Sequence, residues 1–179
     1  MDSFQRLQTT ATRRIALLTG VLVLVGGIVA QPAQIPHNQF NGRFRVDRQG
    51  LVVDEVRRLT WRRCSYGQVY NGITCAGRPR ALSLLKARAY CAGLSTSGRV
   101  WRLPVLNELE SLADPNRTVG AKIDPRWFPA TDPYGYWTRS FFSDPTGLFW
   151  SVFHFGEARH FGAREGRYLV RCVSEWFGE

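Results

Sequence analysis

Two stretches of the chain repeat their apolar residues with the period of an α-helix. The first predicted helix covers residues 81–94. Its apolar face, spaced at i, i+3, i+7 and i+10, comprises Leu84, Ala87, Cys91 and Leu94. A second, shorter helix is predicted over residues 104–113, because Pro104 suits a first helical turn and Asp114-Pro115 ends the pattern. Both helices therefore lie in the middle of the chain.

Short segments rich in aromatic and β-branched residues predict strands on either side of these helices. The segments before the helices are residues 43–46 and 51–61, and a hairpin signal follows at Asn71-Gly72. The segments after the helices are residues 136–142, 148–155, 158–161 and 167–174. Strands, two helices and further strands in this order are typical of an α+β fold, with two helices packed on a mainly antiparallel sheet.

The first thirty residues have the pattern of an export signal. Three arginines and one acidic residue precede an uncharged run of 16 residues, 15–30. This run is shorter than the roughly 20 residues that cross a bilayer. We expect a signal peptide over residues 1–30, cleaved after Ala30, with an uncleaved inner-membrane anchor as the alternative. A polar linker, residues 31–42, then leads into a domain over residues 43–179, which we expect in the periplasm or outside the cell.

All four cysteines follow this segment. They are Cys64, Cys75, Cys91 and Cys172. An even number of cysteines in an exported domain predicts two disulfides, and four cysteines allow three connectivities. The spacings contain no CxxC pair and no His–Cys cluster. We therefore expect no metal site and no cofactor.

Positive charge is concentrated in the first half of the domain. The chain carries 22 arginines, two lysines and a formal net charge of +10. Residues 40–102 hold twelve arginines and Lys86 against three acidic residues, whereas residues 103–179 hold eight basic and ten acidic residues. The basic half also contains aromatic residues that could stack on a ligand: Trp61, Tyr66, Tyr70 and Trp101. Arginine binds sulfate and phosphate through a planar fork, so this pattern predicts polyanion binding, and charge that only solvates the surface is the alternative.

Residues that carry hydrolytic chemistry are not arranged for it. Glu108 and Glu110 are the only close glutamates, and a spacing of two on a helix points them apart, whereas glycoside hydrolysis needs converging carboxylates. A turn at residues 156–157 would place His154 opposite Arg159, whose guanidinium does not suit a general base. The sequence contains no GxSxG motif. We therefore expect no catalytic residues and no enzymatic activity.

A set of motifs in a fixed order resembles one family. The motifs are WRRCSYGQVYNGITCAG, AYCAGL, GRVWRLPVLNELESLAD, WFPA, YWTRS, FWSVFHFG and YLVRCV. Together they resemble the Lcl C-terminal domain family over about residues 50–174. This family is named from a bacterial collagen-like adhesin and long catalogued as a domain of unknown function. The resemblance implies a C-type-lectin-like or sulfatase-modifying-enzyme-like fold in a surface or periplasmic binding domain, in the best-known instance one that recognises sulfated glycosaminoglycans.

The resemblance also implies a disulfide pairing. The implied bridges are Cys64–Cys75 and Cys91–Cys172. A strict two-residue turn at Asn71-Gly72 would set Cys75 opposite Gln68, so we expect a wider loop there. The chain departs from the family at Val105, where the family usually has the threonine of a capping box. We expect the second helix to start more weakly or to be capped differently, with Glu108 in a structural role.

These observations predict an exported, non-catalytic, adhesin-like domain that binds glycans or other polyanions. The expected partner is a sulfated or acidic glycan or a cell-surface protein, with nucleic acid less favoured and the membrane contacted only through the N-terminal segment. The candidate ligand-binding residues flank Cys64 and Cys75: Arg62, Arg63, Arg78 and Arg80, with Arg57 and Arg58 as further candidates. The alternative is a structural subunit of a cell-surface or envelope assembly. An enzyme of the sulfatase-modifying type is the third hypothesis, which a free thiol would favour.

Overall fold

The computed structural model describes residues 42–94, 98–144, 147–157, 159–163 and 165–176. In chain order the elements are β1 (Phe44–Val46), β2 (Val52–Asp54), β3 (Leu59–Trp61), β4 (Val69–Tyr70), β5 (Cys75–Ala76), α1 (Leu84–Ala92), β6 (Trp101–Arg102), α2 (Leu106–Glu110), β7 (Gly135–Asp144), β8 (Gly147–His154), β9 (Arg159–Ala163) and β10 (Val173–Glu175). The expected signal peptide and all of the expected linker except Gly42 lie outside the described residues. Within the described ranges, no helix has the length and apolar character needed to cross a membrane.

The strands form three antiparallel sheets. The largest has the order β1-β2-β3-β10-β6, so the last strand of the chain lies in its interior. A second sheet joins β7, β8 and β9, and its register places His154 opposite Arg159, as predicted. A small hairpin joins β4 and β5 with Tyr70 opposite Cys75, so its loop is wider than two residues. The α+β class with a mainly antiparallel sheet is confirmed.

The first helix is shorter than its periodicity predicts. Ala87 and Cys91 are buried on the predicted face, but α1 begins only at Leu84. Residues 81–83 stay outside the helix because the backbone of Leu82 exchanges two hydrogen bonds with Tyr168 (2.9 and 3.1 Å). Pairing with a distant segment thus replaces the helical bonds that this turn would have made.

The last predicted strand is also shorter than expected. Residues 167–174 were predicted as one strand, yet only β10 belongs to a regular ladder. Tyr168 pairs with Leu82 and Leu169 pairs with Tyr136, so consecutive residues bond to different neighbours. This stretch joins separate parts of the fold instead of extending one sheet.

Both predicted disulfides form, with the implied pairing. Cys64 bonds to Cys75 and Cys91 bonds to Cys172, which leaves no free cysteine. The second bridge ties α1 to the segment before β10 inside an apolar cluster. That cluster includes Leu51, Leu82, Ala87, Trp101, Leu103, Trp137, Val152 and Val170. A separate cluster packs α2 against the largest sheet and includes Phe44, Val52, Trp61, Leu109, Phe128, Tyr136 and Phe153.

Arg171 is a buried cation that contacts several separate segments. Its guanidinium donates to the backbone carbonyls of Arg62 (3.0 Å) and Arg63, and to the hydroxyls of Ser65 (3.2 Å) and Thr131 (2.8 Å). Its side chain also lies 4.9 Å from the centre of the Phe128 ring. Burial lowers the pKa of this guanidinium. Arg171 therefore connects the segment around Cys64 to the loop before β7.

The second helix begins at Leu106 and is capped by a neighbouring strand. The hydroxyl of Ser140 on β7 accepts the Leu106 N–H at 2.9 Å, and the Glu108 carboxylate accepts the Val105 N–H at 2.7 Å. Glu108 also receives two 2.8 Å hydrogen bonds from Arg102, which hold its carboxylate in place. Valine has no side-chain acceptor, so only half of a capping box is present. The helix is capped differently, as expected, and it is shorter than the predicted 104–113.

Restoring the missing hydroxyl should stabilise the domain. In Val105→Thr we expect the threonine hydroxyl to accept the Glu108 N–H and raise the free energy of unfolding by about 0.5–1 kcal/mol. Urea unfolding followed by circular dichroism measures this difference. Val105→Ala is the control, because it changes the side chain without adding an acceptor. Equal stability of the threonine and alanine variants would contradict the prediction.

Candidate functional site

A cleft lined by charged, aromatic and apolar residues opens where three separate segments of the domain meet. The segments are residues 78–81, 132–135 and 167–169, and the cleft encloses about 470 Å³. Its lining consists of Arg78, Pro79, Ala81, Asp132, Tyr134, Gly135, Arg167, Tyr168 and Leu169. We call this surface the Arg78–Arg167 cleft.

Backbone hydrogen bonds on both sides hold the segment that carries Arg167 and Tyr168. On one side Tyr168 pairs with Leu82, and on the other the Leu169 N–H donates to the Gly135 carbonyl at 2.8 Å. The Tyr168 ring packs edge-on against Trp137, with 4.8 Å between ring centres. The cleft wall is therefore built on ordered backbone and on the apolar cluster beneath it.

Gly135 lines the cleft at a position where a side chain would not fit. A Cβ at this position would lie 2.6 Å from Cγ1 of Val152, 2.7 Å from Cδ1 of Tyr168 and 2.8 Å from Nε2 of His154. These distances are shorter than ordinary van der Waals contacts. The absence of a side chain lets the β7 backbone approach Tyr168 and leaves His154 next to the cleft.

A second glycine positions the arginine segment. Gly67 has a φ of +89°, and a Cβ there would lie 2.9 Å from the Arg78 carbonyl oxygen and 2.7 Å from Cγ of Arg80. The Arg80 N–H donates to the Tyr66 carbonyl at 2.9 Å. The segment after Cys75 therefore packs against the turn after Cys64, and this packing positions Arg78 in the lining of the cleft.

The charged and aromatic groups of the cleft are held by local contacts. The Arg167 guanidinium donates to the Ala81 carbonyl at 2.8 Å. The Asp132 carboxylate accepts the Tyr134 N–H at 3.0 Å, an Asx turn that supports the exposed Tyr134 ring. Two guanidinium groups and one carboxylate give the lining a net positive charge. Such a cleft attracts anions and keeps one acceptor for hydroxyl groups.

The six candidate arginines do not form one surface. Arg78 lines the cleft, and Arg80 is exposed on the same segment. Arg63 lies over the Tyr70 ring at 4.1 Å and donates to the Arg126 carbonyl at 2.8 Å. These contacts hold the Arg63 guanidinium against Tyr70 and Arg126, and Arg63 is not one of the residues that line the cleft.

The remaining candidates lie around β3. Arg62 is partly buried near Tyr90, whose pKa is raised by burial and lowered to a smaller extent by the Arg62 charge. Arg57 and Arg58 lie in the turn before β3, and the Arg58 guanidinium lies 4.7 Å from the Trp176 ring centre. Since four strand residues span about 13 Å, Arg58 and Arg62 are at opposite ends of β3. The basic segment is therefore divided among several surfaces.

Four cleft residues were missed by the sequence analysis: Asp132, Tyr134, Arg167 and Tyr168. Counting charge by segment could not find them, because all four come from the half of the domain with a negative balance and lie more than fifty residues from Arg78. One local signal was available. A tyrosine lies next to Gly135 and a second lies two residues after Gly166, at points where loops meet strands.

In the part of the chain that the structure describes, no three His, Cys, Asp or Glu side chains lie close enough together to hold a metal ion. In the loop over residues 114–122, the ammonium group of Lys122 donates hydrogen bonds to the carbonyls of Pro115 (3.4 Å) and Arg117 (3.2 Å).

The fold and this surface define a disulfide-bonded α+β domain with an arginine- and tyrosine-lined cleft. A model of the Lcl C-terminal domain family matches residues 50–174, and the chain belongs to that family. No curated protein matches the chain with significance, and no solved structure does.

Proposed function

We propose that this protein is an exported, non-catalytic binding domain for acidic glycans, with a C-type-lectin-like fold and its binding site in the Arg78–Arg167 cleft. The observation that carries the proposal is the convergence of two guanidinium groups and two tyrosine side chains on one cleft. The two disulfides are compatible with an oxidising compartment, where an exported domain would function.

Each group in the cleft matches a feature of an acidic sugar. A guanidinium binds a sulfate or carboxylate with two parallel hydrogen bonds. A tyrosine ring offers an apolar face to the C–H surface of a sugar ring and a hydroxyl to its polar edge. The Asp132 carboxylate accepts hydrogen bonds, so it can bind the hydroxyl groups of a sugar. This combination fits a sulfated or uronic-acid-containing glycan, which carries acidic groups and hydroxyl groups on the same rings.

The double variant Arg78→Ala/Arg167→Ala tests the cleft. We expect it to bind a sulfated glycosaminoglycan at least about tenfold more weakly, because a charge-assisted hydrogen bond contributes roughly 1.5–3 kcal/mol and 1.4 kcal/mol is a factor of ten. Isothermal titration calorimetry at two salt concentrations measures the affinity and the number of counterions released. Arg78→Lys/Arg167→Lys separates net charge from bidentate geometry, since lysine keeps only the charge.

A charge-matched control distinguishes the cleft from the overall positive charge. Arg48→Ala/Lys86→Ala removes two exposed positive charges outside the cleft and should leave the affinity nearly unchanged. Equal weakening by both double variants would mean that only net charge matters. A large loss in Arg57→Ala/Arg58→Ala, with none in the cleft variant, would place the site at the turn before β3.

A structural subunit of a surface assembly is the second candidate function. The observation that favours it is the exposure of two consecutive aromatic side chains on β7, Phe141 (61%) and Phe142 (39%), beside a depression of about 530 Å³ lined also by Val105 and Leu106. Exposed apolar patches of this kind mark protein interfaces. This function predicts that Phe141→Ser/Phe142→Ser, and not the cleft variant, abolishes incorporation into the envelope fraction of the native cell.

A further inference from the structure

A second basic cleft lies beside the C-terminal half of α1. It encloses about 310 Å³ and is lined by Arg88, Ala92, Trp101, Arg102, Leu103 and Arg139. Three of these six residues are arginines, and each comes from a different element: α1, β6 and β7. We call this surface the Arg88–Arg139 cleft. None of the six arginines singled out by the sequence pattern belongs to it.

Backbone contacts bring the three elements together. The Arg139 N–H donates to the Pro104 carbonyl at 2.7 Å, which ties β7 to the segment after β6. Arg88 and Ala92 are four residues apart on α1, so they lie on one face of the helix. Trp101 and Leu103 are buried against this helix and give the cleft an apolar floor.

Arg102 of this cleft is held by two carboxylates that lie outside the cleft lining. Arg102 donates to both oxygens of Glu108 at 2.8 Å and to Glu175 at 2.5 Å, and the hydrogen bond to Glu108 is the main cause of its raised pKa. Neither carboxylate lines the cleft. The rim is formed by Arg88 and Arg139, which are both exposed. An anionic group carried on a ring with an apolar face fits a cationic rim above such a floor.

The two clefts lie along the same elements. Gly135 of the first cleft and Arg139 of the second are four residues apart on β7, at most about 13 Å along the strand, whose pairing with β8 shifts register between Trp137 and Phe141. Ala81 of the first cleft precedes α1, and Ala92 of the second is its last residue. Tyr168 and Trp101, one from each cleft, pack against the same apolar cluster. The distance between the clefts along these elements is therefore within the length of a linear glycan several sugars long.

Resting on the proposed function, we propose that the Arg88–Arg139 cleft is a second subsite for the same acidic glycan, so that the domain binds a linear chain at two points. A short fragment fills one cleft. A longer chain fills both and gains affinity, because its second contact is intramolecular. The ligand is thus a repeating polyanion several sugars long. The separation of the two clefts sets the shortest chain that gains this affinity.

The test compares heparin fragments of two lengths, a disaccharide and a size-fractionated long chain, by calorimetry on the full exported domain. We expect wild-type protein to bind the long chain at least about tenfold more tightly per chain than the disaccharide. Arg88→Ala/Arg139→Ala should lose most of this length-dependent gain and keep the disaccharide affinity. Arg78→Ala/Arg167→Ala should weaken the binding of both fragments.

The outcomes separate the second subsite from the proposed function. Unchanged long-chain affinity in Arg88→Ala/Arg139→Ala, with both fragments weakened in the first-cleft variant, would overturn the second subsite and support the proposed function. Disaccharide binding lost equally in both variants would also overturn it, because the two clefts would then form a single site. Unchanged binding in the first-cleft variant would overturn the proposed function itself. Far-UV circular dichroism and Arg48→Ala/Lys86→Ala control for folding and net charge.

Discussion

Arg171→Met is expected to lower the free energy of unfolding by about 3 kcal/mol or more, although methionine nearly matches the arginine stem in volume. The side chain is only 1% exposed. The loss comes from the acceptors around it, since the carbonyls of the partly buried residues Arg62 and Arg63 would lose this donor. A buried acceptor left unpaired costs about 1–3 kcal/mol. The Ser65 and Thr131 hydroxyls lose less, because each keeps another hydrogen bond, to Tyr136 and to the Phe128 carbonyl.

Urea unfolding measures this loss, and Arg167→Met is its matched control. Arg167 lies four residues earlier on the same segment but is exposed, so its substitution should change stability by about 0.5 kcal/mol or less. Arg171→Lys keeps the charge without the planar fork and should fall between wild type and Arg171→Met. It also provides a measurable variant if the methionine protein does not fold. Similar stabilities for the substitutions at positions 171 and 167 would show that the buried hydrogen bonds contribute little.

Removal of the Cys91–Cys172 bridge is expected to cost about 4.5 kcal/mol. The bridge closes a loop with a sequence separation of 81, and on the loop-entropy model the destabilisation grows with the logarithm of that length. Both cysteines are buried, so Cys91→Ala/Cys172→Ala also leaves a small cavity between α1 and the segment before β10. Since domains have a net stability of about 5–15 kcal/mol, a domain at the lower end of this range would then be close to unfolding.

The local bridge provides the comparison. Cys64→Ala/Cys75→Ala opens a loop with a separation of only 11, so we expect a loss of about 3 kcal/mol. Chemical denaturation of the two double variants, with the denaturant slope checked for each, measures both values. A larger loss in the local variant would contradict the loop-entropy argument. It would indicate that the 64–75 bridge acts mainly by holding the Arg78 segment in its native position.

Features that depend on residues close in sequence could be predicted. The buried face of α1 follows from the spacing of Ala87 and Cys91, because a helix places such residues on one side whatever surrounds it. The register of His154 with Arg159 follows from the turn between them. The disulfide pairing came from the family resemblance, since cysteine spacing alone leaves three connectivities open.

The errors occur where distant segments compete for the same backbone groups. Residues 81–83 were predicted to be helical, but Leu82 bonds to Tyr168 instead. Residues 167–172 were predicted to continue a strand, but Tyr168 and Leu169 bond to different partners. Local propensity is a small term, about 1 kcal/mol or less per residue, and tertiary hydrogen bonds to a buried segment override it.

The sequence by itself determined the local elements, the α+β class and the arginine-rich character of the domain, because each depends on residue type and near-neighbour spacing. Only the tertiary structure decided which arginines act together. It separated Arg57 and Arg58 from Arg78 and brought Arg167, Tyr168 and Tyr134 to Arg78 from the opposite half of the domain. The physical reason is that residues 167–170 bond to segments on both sides, so the cleft is created by long-range backbone pairing that no local pattern encodes.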